Sequence, residues 1–276
     1  MAGTRPSIAD KRRTFRELHA SGCFVIPNPW DLGSVRYLQS LGFKALATTS
    51  SGFAWSRGRA DNQVERDTVL SHLAEIVAGT DLPVNADFES GFARDAAGVR
   101  ESVRRAVATG VAGLSIEDST GDEAKPLYDL DVAVERMRAA RRAIDDAGGD
   151  ALLVGRAECF LVGKPDLAET IARLAAYANA GADCLYAPGI RTREQIAAVV
   201  AGVAPKPVNL LIAGPSEMTA ADIAALGVRR ISVGGALARS AWGGFMRTAT
   251  LIANEGRFDG FADAAQGAGL NALFRA

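Results

Sequence analysis

Five charged side chains stand where short apolar runs of the sequence give way to polar residues: Asp87, Glu89, Glu117, Asp118 and Arg156. Carboxylates that converge in one cleft repel one another unless a cation lies among them. Oxygen ligands too few to complete a coordination shell favour Mg²⁺ or Mn²⁺, which keep bound waters and leave room for a substrate. The pattern therefore predicts a divalent metal site. The alternative is that each carboxylate caps a helix or bonds a loop, a role that would not require the side chains to converge.

Two further features could hold an anionic substrate. Arg156 follows the apolar residues 152–155, and its guanidinium offers a planar fork to a carboxylate or a phosphonate. A salt bridge to Glu117 or Glu158 is the alternative role for this arginine. The run Ser50-Ser51-Gly52 could present hydroxyl and backbone N–H groups to an anion, although Ser-Gly sequences are also common in ordinary loops.

Four decapeptides that read as near copies indicate how the chain could position these side chains. Each has Gly at its second position, then an apolar run, then a change to polar or small residues: LGFKALATTS (41–50), TGVAGLSIED (109–118), AGADCLYAPG (180–189) and LGVRRISVGG (226–235). Glycine can end a helix in the left-handed conformation, so each copy predicts a helix end, a short turn and a buried strand. Repeated helix–strand units build a parallel sheet whose chemistry lies at the carboxyl ends of the strands.

Eight strands, each followed by a helical pattern or a loop leading to one, are predicted at 23–27, 45–49, 83–87, 113–117, 152–157, 184–187, 207–211 and 230–233. Residues 7–20 predict a helix before the first strand and residues 236–254 a long one after the last, while residues 50–66 read as a loop. No linker interrupts the chain, so we predict one domain over residues 1–276, an α/β fold of the TIM-type (β/α)8 barrel. A doubly wound open sheet is the alternative, but it would need a GxGxxG turn where the chain has Asn28-Pro29-Trp30-Asp31.

Composition excludes several classes of protein. The net charge is −1 and no basic stripe is present, so we expect no nucleic acid and no anionic membrane as partner. The amino terminus lacks a continuous apolar segment, which argues against a secretion signal or a membrane anchor. The three cysteines, at positions 23, 159 and 184, lack metal or redox spacing and fit reduced thiols, so a cytoplasmic location is predicted.

Histidine is scarce where chemistry is expected. The two histidines, His19 and His72, lie in predicted helices away from the strand ends. A Ser-His-Asp triad, a histidine-rich zinc site and a histidine general base are therefore disfavoured. Proton transfer would have to use a carboxylate, Tyr186, a metal-bound water or Lys125.

The order of these motifs resembles the isocitrate lyase and phosphoenolpyruvate mutase superfamily. The resemblance runs from NPWD to SVGGAL and is carried by Trp30-Asp31, by residues 49–53, by Asp61, by Asn85-Ala86-Asp87, by Glu117-Asp118 and by Gly155-Arg156. It implies a Mg²⁺-dependent barrel that cleaves or forms a C–C or P–C bond next to a 2-oxo or 2-hydroxy carboxylate. It also implies that the final helix is exchanged between subunits, with a dimer of dimers as the assembly.

The resemblance also implies a set of site residues. The expected substrate-binding residues are Trp30, Ser51, Gly52, Phe53, Arg156 and Asn209. The expected metal site, with Mg²⁺ or Mn²⁺, consists of Asp87, Glu117, Asn85 and Glu89. The expected catalytic residues are Arg156, Asp61 and Lys125, with Asp61 close to the metal and its waters.

Two departures from the family pattern bear on the reaction. The family's Asp-Ala-Asp is here Asn85-Ala86-Asp87, so one charge is lost unless Glu89 restores it from another angle. The loop 119–127 lacks the Lys-Lys/Arg-Cys-Gly-His run of the lyases, and only Lys125 could take the part of the lysine in the mutase loop. Isocitrate and methylisocitrate lyase activities are therefore disfavoured.

Four functions remain open from the sequence. The first is C–C or P–C cleavage of a small 2-oxo carboxylate, oxaloacetate-like or phosphonopyruvate-like, through an enolate. The second is phosphonomutase activity on phosphoenolpyruvate or its carboxyphosphono analogue. The third is a barrel that binds a dicarboxylate without converting it, and the fourth is an unrelated barrel enzyme with a phosphate site near Gly234-Gly235.

Overall fold

Eight parallel strands form the core of the molecule in a computed structural model that describes residues 5–275. The strands are β1 Phe24–Ile26, β2 Leu46–Ala47, β3 Val84–Asp87, β4 Gly113–Glu117, β5 Leu152–Arg156, β6 Cys184–Tyr186, β7 Val208–Leu211 and β8 Arg230–Ser232. Their order in the sheet is β1-β8-β7-β6-β5-β4-β3-β2. The N–H of Ala47 donates to the carbonyl of Pro27 at 3.0 Å, which links β2 to the end of β1 and brings the two edges together. The predicted TIM-type barrel is confirmed.

Helices surround the strands in the expected alternation. They are α1 Ile8–Ala20, α2 Leu32–Ser40, α3 Ser50–Ser56, α4 Arg66–Ala78, α5 Ala96–Ala108, α6 Leu130–Asp146, α7 Leu167–Asn179, α8 Arg193–Val203, α9 Ala220–Ala225, α10 Ala236–Glu255 and α11 Gly267–Arg275, with a short 3₁₀ helix at Asp259–Asp263. Within the described residues, no helix is long and apolar enough to cross a membrane.

The repeated glycines act as the sequence predicts. Gly42, Gly110, Gly181 and Gly227, one in each near copy, have φ values of 83°, 90°, 103° and 88°. A residue with a Cβ rarely adopts such angles, so glycine at these positions lets each helix end and the chain turn into the next strand.

The segment predicted as a loop at 50–66 contains a helix, α3. Thr49 begins it, because its side chain accepts from the N–H of Gly52 at 3.3 Å. A Cβ on Gly52 would lie 2.7 Å from Cγ2 of Thr49 and 3.0 Å from Cβ of Trp30, so only glycine lets α3 pack this closely. The sequence did not predict this short helix because its polar and small residues form no apolar stripe. Its cap and its packing stabilise it instead.

Helix α1 closes the amino-terminal end of the barrel. Phe15 is fully buried and packs with Ile26, Ala45, Ala112 and Leu152, most of which stand at or just before the starts of strands. The open end is therefore the carboxyl end of the strands, where barrels of this kind place their chemistry.

Arg230 is buried inside the barrel, on the side of α1, and contacts three polar side chains there. Nε of Arg230 donates to Oδ1 of Asn209 at 2.7 Å, and one Nη donates to Oδ1 of Asn85 at 3.3 Å. The same Nη lies 3.5 Å from Nε2 of His19, whose Nδ1 donates to the carbonyl of Phe15 at 2.7 Å. This arrangement requires a neutral imidazole, because Nε2 faces a guanidinium.

We expect His19 to make the protein less stable in mild acid. Burial, followed by the charge of Arg230, lowers the pKa of His19 to about 3. The unfolded chain binds a proton below pH ~6.5 while the folded chain does not, so stability falls as the pH drops below that value. The loss through His19 at pH 5 is about 2 kcal/mol. Urea unfolding at pH 7.5 and pH 5 should therefore show a smaller pH effect in His19→Gln than in the native protein, and an equal effect would contradict the prediction. His72 is present in both proteins, so its contribution cancels.

Candidate active site

Three carboxylates surround one guanidinium at the carboxyl ends of β3, β4 and β5. One Nη of Arg156 lies 3.3 Å from Oδ1 of Asp87 and 3.2 Å from Oε2 of Glu117, and its Nε pairs with Glu158. These four side chains are between 6% and 19% exposed. The structure thus brings together the three residues on which the predicted site depends, Asp87, Glu117 and Arg156. Arg156 also has the alternative role of a salt-bridge partner, because its salt bridges to Glu117 and Glu158 both form.

The carboxyl groups of the cluster outnumber its one guanidinium in a desolvated place. Burial raises the pKa of Glu117 well above its usual value, Arg156 opposes this shift, and Glu158 and Asp87 add to it. Burial and the charges of Asp87 and Asp61 raise the pKa of Glu89 to about 8. Burial disfavours the charged form of Arg156, but Glu158 and Glu117 outweigh it and raise the pKa of the arginine. In the absence of a further cation, Glu89 and Glu117 thus hold their protons more tightly than exposed carboxyl groups do.

The residues fit a divalent cation in donor type and in charge. Among residues 5–275, no group of three or more Asp, Glu, His or Cys side chains is already arranged around a metal position. The guanidinium of Arg156 lies between Asp87 and Glu117 instead. Carboxylate oxygens are the ligands that Mg²⁺ prefers. Burial, with neighbouring carboxylates, raises the pKa values of Glu89 and Glu117, so a cation placed among them would favour their charged forms. Asp87, Glu89 and Glu117 are the side chains that would hold the ion.

Asn85, predicted as a metal ligand, lies deeper in the barrel. It is 2% exposed, its Oδ1 accepts from Arg230, and its Nδ2 donates to the carbonyl of Ala86 at 3.0 Å. Two residues along a strand correspond to about 6.6 Å, so Asn85 stands one layer below Asp87. The acidic pair with a spacing of two residues is instead Asp87 and Glu89.

Glu89 adopts an unusual backbone conformation at this site. Its φ is +49°, in the left-handed region that costs a non-glycine residue about 1–3 kcal/mol. The carbonyl of Glu89 accepts from the N–H of Glu117 at 3.0 Å, which ties this turn to the end of β4. Such strain is typical of functional sites, and here it keeps Glu89 beside the cluster.

Asn209 and Lys125 are not brought to the cluster either. Asn209 is fully buried, donates to Oγ of Ser232 at 2.9 Å and accepts from Arg230, so no free amide group faces the mouth. Nζ of Lys125 lies 2.6 Å from Oδ2 of Asp129, and both side chains are more than 60% exposed. We therefore propose no role in substrate binding for Asn209 and no role in catalysis for Lys125.

Helix α3 borders the cluster on the side of β2. The N–H of Ser50 donates to Oδ2 of Asp87 at 2.9 Å, and Oγ of Ser51 lies 3.1 Å from Oγ1 of Thr49. The ring of Phe53 stacks on His72 with centroids 3.7 Å apart, so this side chain packs in the core and not at the mouth. Ser51 and Gly52 follow Ser50 on this helix, and their role in substrate binding stays a prediction.

Trp30 and Asp61 lie at the edge of the mouth. Trp30 contacts α3 near Gly52, and its side chain borders an apolar crevice against Trp242 of α10. Asp61 is exposed as a residue, yet desolvation of its carboxyl group and the charge of Asp87 raise its pKa, while the Ser50 side chain lowers it. Asp61 is thus electrostatically part of the site, whereas Trp30 packs near α3 and borders the crevice beside α10.

Glu158 and Tyr186 lie at the site as well; the sequence offered Glu158 only as a salt-bridge partner of Arg156 and Tyr186 only as one of several groups for proton transfer. The guanidinium carbon of Arg156 lies 5.1 Å from the centre of the Tyr186 ring. Burial raises the pKa of Tyr186 to about 12, Arg156 lowers it, and Glu158 raises it further. Both residues stand at or just after the ends of predicted strands, and that position was the signal available in the sequence.

Asp118 faces away from the cluster. It is 3% exposed and accepts from the Tyr177 hydroxyl at 2.5 Å, from Arg173 at 3.2 Å and from the N–H of Glu158 at 2.8 Å. Asp118 therefore has a structural role, which was the alternative to metal binding for these carboxylates.

Two backbone donors near Gly234-Gly235 are already engaged. The N–H groups of Val233 and Gly234 both donate to Oδ1 of Asn28 at 2.9 Å. Neither donor is available to a phosphate, which weakens the fourth functional alternative.

Several known proteins are similar to this chain in fold and in sequence. The family model of phosphoenolpyruvate phosphomutase matches residues 15–253. The crystal structure of a protein from Burkholderia cenocepacia J2315, assigned provisionally as a lyase/mutase, is 46% identical, has a TM-score of 0.95 and is matched over 98% of both chains. A structure of oxaloacetate acetylhydrolase with its product oxalate is 26% identical, with a TM-score of 0.85 over 96% of this chain and 94% of that one. The oxaloacetate decarboxylase of Bradyrhizobium sp. (strain ORS 278) is 32% identical over 236 residues, which are 81% of this chain and 77% of the relative.

Proposed function

Because the chain belongs to the phosphoenolpyruvate phosphomutase family, as its motifs predicted, we propose that it is a Mg²⁺-dependent enzyme that decarboxylates an oxaloacetate-like 2-oxo acid through an enolate. It is an enzyme of the lyase or mutase type. The observation that carries the proposal is the desolvated acidic cluster in which Asp87, Glu117 and Glu158 share the single guanidinium of Arg156. The similarity to oxaloacetate decarboxylase and oxaloacetate acetylhydrolase supports a four-carbon 2-oxo acid as the type of substrate.

Arg156 is the residue that would bind the substrate's anionic end. Its Nε and one Nη engage Glu158, Asp87 and Glu117, while the other Nη makes no hydrogen bond with any of residues 5–275. That free edge can donate to a carboxylate oxygen. Ser51 and Gly52 lie beside the cluster and would orient the other end of the acid.

The chemistry needs charge stabilisation and one proton. When the bond between carbons 3 and 4 of the acid breaks, CO₂ leaves and the electron pair moves onto the 2-oxo oxygen. Mg²⁺, held by Asp87, Glu89 and Glu117, would supply positive charge for that oxygen, and Arg156 would add to it from a site largely withdrawn from water. Carbon 3 then takes a proton, and Tyr186, protonated at neutral pH and adjacent to Arg156, is the candidate donor.

Incubation with oxaloacetate and Mg²⁺ tests the proposal. We expect pyruvate and CO₂ to form faster than in a protein-free solution with the same Mg²⁺, which measures spontaneous decay, and we expect excess EDTA to abolish the difference. Oxaloacetate decay equal to that of the control would contradict the proposal. Saturable binding of oxalate without turnover of any 2-oxo acid or phosphonate would instead support the non-catalytic barrel.

Phosphonomutase activity is the second candidate, favoured by the family model that the chain matches. Phosphonopyruvate in the same assay, followed by ³¹P NMR, separates it from cleavage. Phosphoenolpyruvate as product indicates rearrangement, whereas inorganic phosphate with pyruvate indicates hydrolytic cleavage.

The exposed apolar face of α10 supports the predicted homo-oligomer. Of its 20 residues only Ala238 is buried, while Trp242, Phe245 and Met246 are 40%, 62% and 59% exposed. Large contiguous apolar patches are rare on monomers, so this face would lie against a second copy. Exchange of the helix and a dimer of dimers stay predictions, for which the mass in solution is the first measurement.

A further inference from the structure

A cavity lies at the mouth of the barrel outside the acidic cluster. A cavity of about 650 Å³ opens between the loop that follows β6 and the loop that follows β7, with one wall from Leu161 and another from Arg239 of α10. The acidic cluster belongs to β3, β4 and β5, so the two features occupy adjoining sectors of the same rim.

The walls of this cavity continue from the residues of the active site. Leu161 follows Glu158 by three residues, Gly189 follows Tyr186 by three, and Leu211 is the last residue of β7. A Cβ on Gly189 would lie 2.7 Å from Cβ of Phe160 and 3.4 Å from Cδ2 of Leu161, so the loops after β5 and β6 are in close contact. Leu211 also packs against the apolar cluster that contains Tyr186, and the centre of the Tyr186 ring lies 5.1 Å from the guanidinium carbon of Arg156, so the cavity lies in the sector next to Arg156.

The cavity combines an apolar floor with a basic rim. Ile190, Ile196 and Leu210 are at most 1% exposed and line it from below. Its charged lining consists of three arginines and one carboxylate: Arg191, Arg193, Arg239 and Glu217.

Two of the three arginines already bind other groups of the protein, and one does not. Arg193 pairs with Asp222 at 3.5 Å, and Arg239 donates to the carbonyl of Ala213. Arg191 forms no ion pair with any of residues 5–275, so its guanidinium is available to a ligand. The lining is complementary to a molecule that is apolar along its length and anionic at its end.

We propose that this cavity binds the distal part of the substrate, so that the preferred substrate is an oxaloacetate-like 2-oxo acid that carries on carbon 3 an apolar chain ending in a further anionic group. The inference rests on the proposed function for the position of the 2-oxo end. Cavities of 300–1,000 Å³ enclose most of a drug-sized ligand, whereas a four-carbon acid held at Arg156 would leave this one to water. Arg191 would meet the terminal anionic group.

Equilibrium binding of two acids that differ only in chain length tests this assignment; neither carries a carboxylate on carbon 3, so the proposed decarboxylation does not consume them during the titration. We expect 2-oxosuberate to bind at least about tenfold more tightly than 2-oxoglutarate in calorimetric titrations with Mg²⁺, because its additional methylene groups leave water. Gly214→Leu should remove that difference. Gly214 lines the cavity on its exposed side, and a Cβ there meets no atom within 4 Å, so a larger side chain can be introduced at this position to compete with the ligand for the space.

Two further variants make the test specific. Gly269→Leu is the matched control, because a Cβ on Gly269 also meets nothing within 4 Å and the residue lies on α11. It should leave the tenfold preference intact. Arg191→Gln should reduce the binding of 2-oxosuberate and leave that of 2-oxoglutarate unchanged.

The outcomes separate this inference from the proposed function. Equal binding of the two acids, or a preference that survives in Gly214→Leu, overturns the inference even if oxaloacetate is decarboxylated. A preference that Gly214→Leu removes supports the inference even if no acid is converted, in which case only the proposed reaction fails.

Discussion

Replacing Asp87 with asparagine is expected to lower the Mg²⁺-dependent kcat/KM for oxaloacetate by at least about 10³-fold, because the charge stabilisation that a metal supplies is worth several kcal/mol. Asp87 is central to the cluster: it accepts from the N–H of Ser50 at 2.9 Å, lies 3.3 Å from Arg156 and raises the pKa of Glu89. Asparagine keeps the size and one oxygen but removes the charge. Steady-state kinetics across a Mg²⁺ titration would show the loss together with a higher Mg²⁺ requirement.

Asp150→Asn is the matched control for that change. Asp150 is exposed and precedes β5 at the opposite end of the barrel, so the same substitution there should leave kcat/KM unchanged. A variant at Asp87 that kept its rate and its Mg²⁺ dependence would show that the metal, if it is used, is bound elsewhere. Full activity of the native protein in excess EDTA would refute the metal role altogether.

Arg156→Lys is expected to reduce kcat/KM by at least about 100-fold although the positive charge is kept. One planar guanidinium contacts Asp87, Glu117 and Glu158 at once and keeps an Nη free, whereas an ammonium is a point charge that cannot repeat this geometry. Most of the loss should appear in KM if Arg156 only binds the substrate, and in kcat if it also stabilises charge as the bond breaks.

Arg156→Met extends the prediction to stability. Removing the arginine leaves buried carboxylates without a partner, which costs about 3–5 kcal/mol when one side of a buried ion pair is lost. Urea unfolding without Mg²⁺ would measure it. Arg138→Lys is the control, since Arg138 pairs with Glu135 in solvent and such pairs contribute about 0–1 kcal/mol. If Arg156→Lys matched the native kinetics, the arginine would be structural and the proposed substrate contact would be withdrawn.

Local features of the chain were sufficient to predict the barrel. The four glycines with positive φ, including Gly42 and Gly110, were visible because helix ends and tight turns depend on the backbone angles of single residues. The strands were visible as apolar runs, since strands buried on both faces need apolar residues throughout. Asp87, Glu117 and Arg156 followed from the same reasoning, because parallel strands end on one rim.

Depth within the barrel could not be inferred in the same way. Asn85 and Asp87 differ by two positions on one strand, yet the first bonds to Arg230 in the interior and the second reaches the mouth. Asn209 was misplaced for the same reason. The height at which a strand residue stands depends on the pairing of all eight strands, and that is a property of the closed sheet.

The sequence by itself determined the helix–strand alternation, the family and the residues that gather at the carboxyl rim, because these depend on local backbone preference and on apolar patterning. Only the tertiary structure decided which polar residues lie inside the barrel, that Arg156 is shared by three carboxylates, and that a cavity with a basic rim lies in the neighbouring sector of the mouth. Those features arise from contacts between segments far apart in the chain, where burial and neighbouring charges, rather than residue type, set the properties of each side chain.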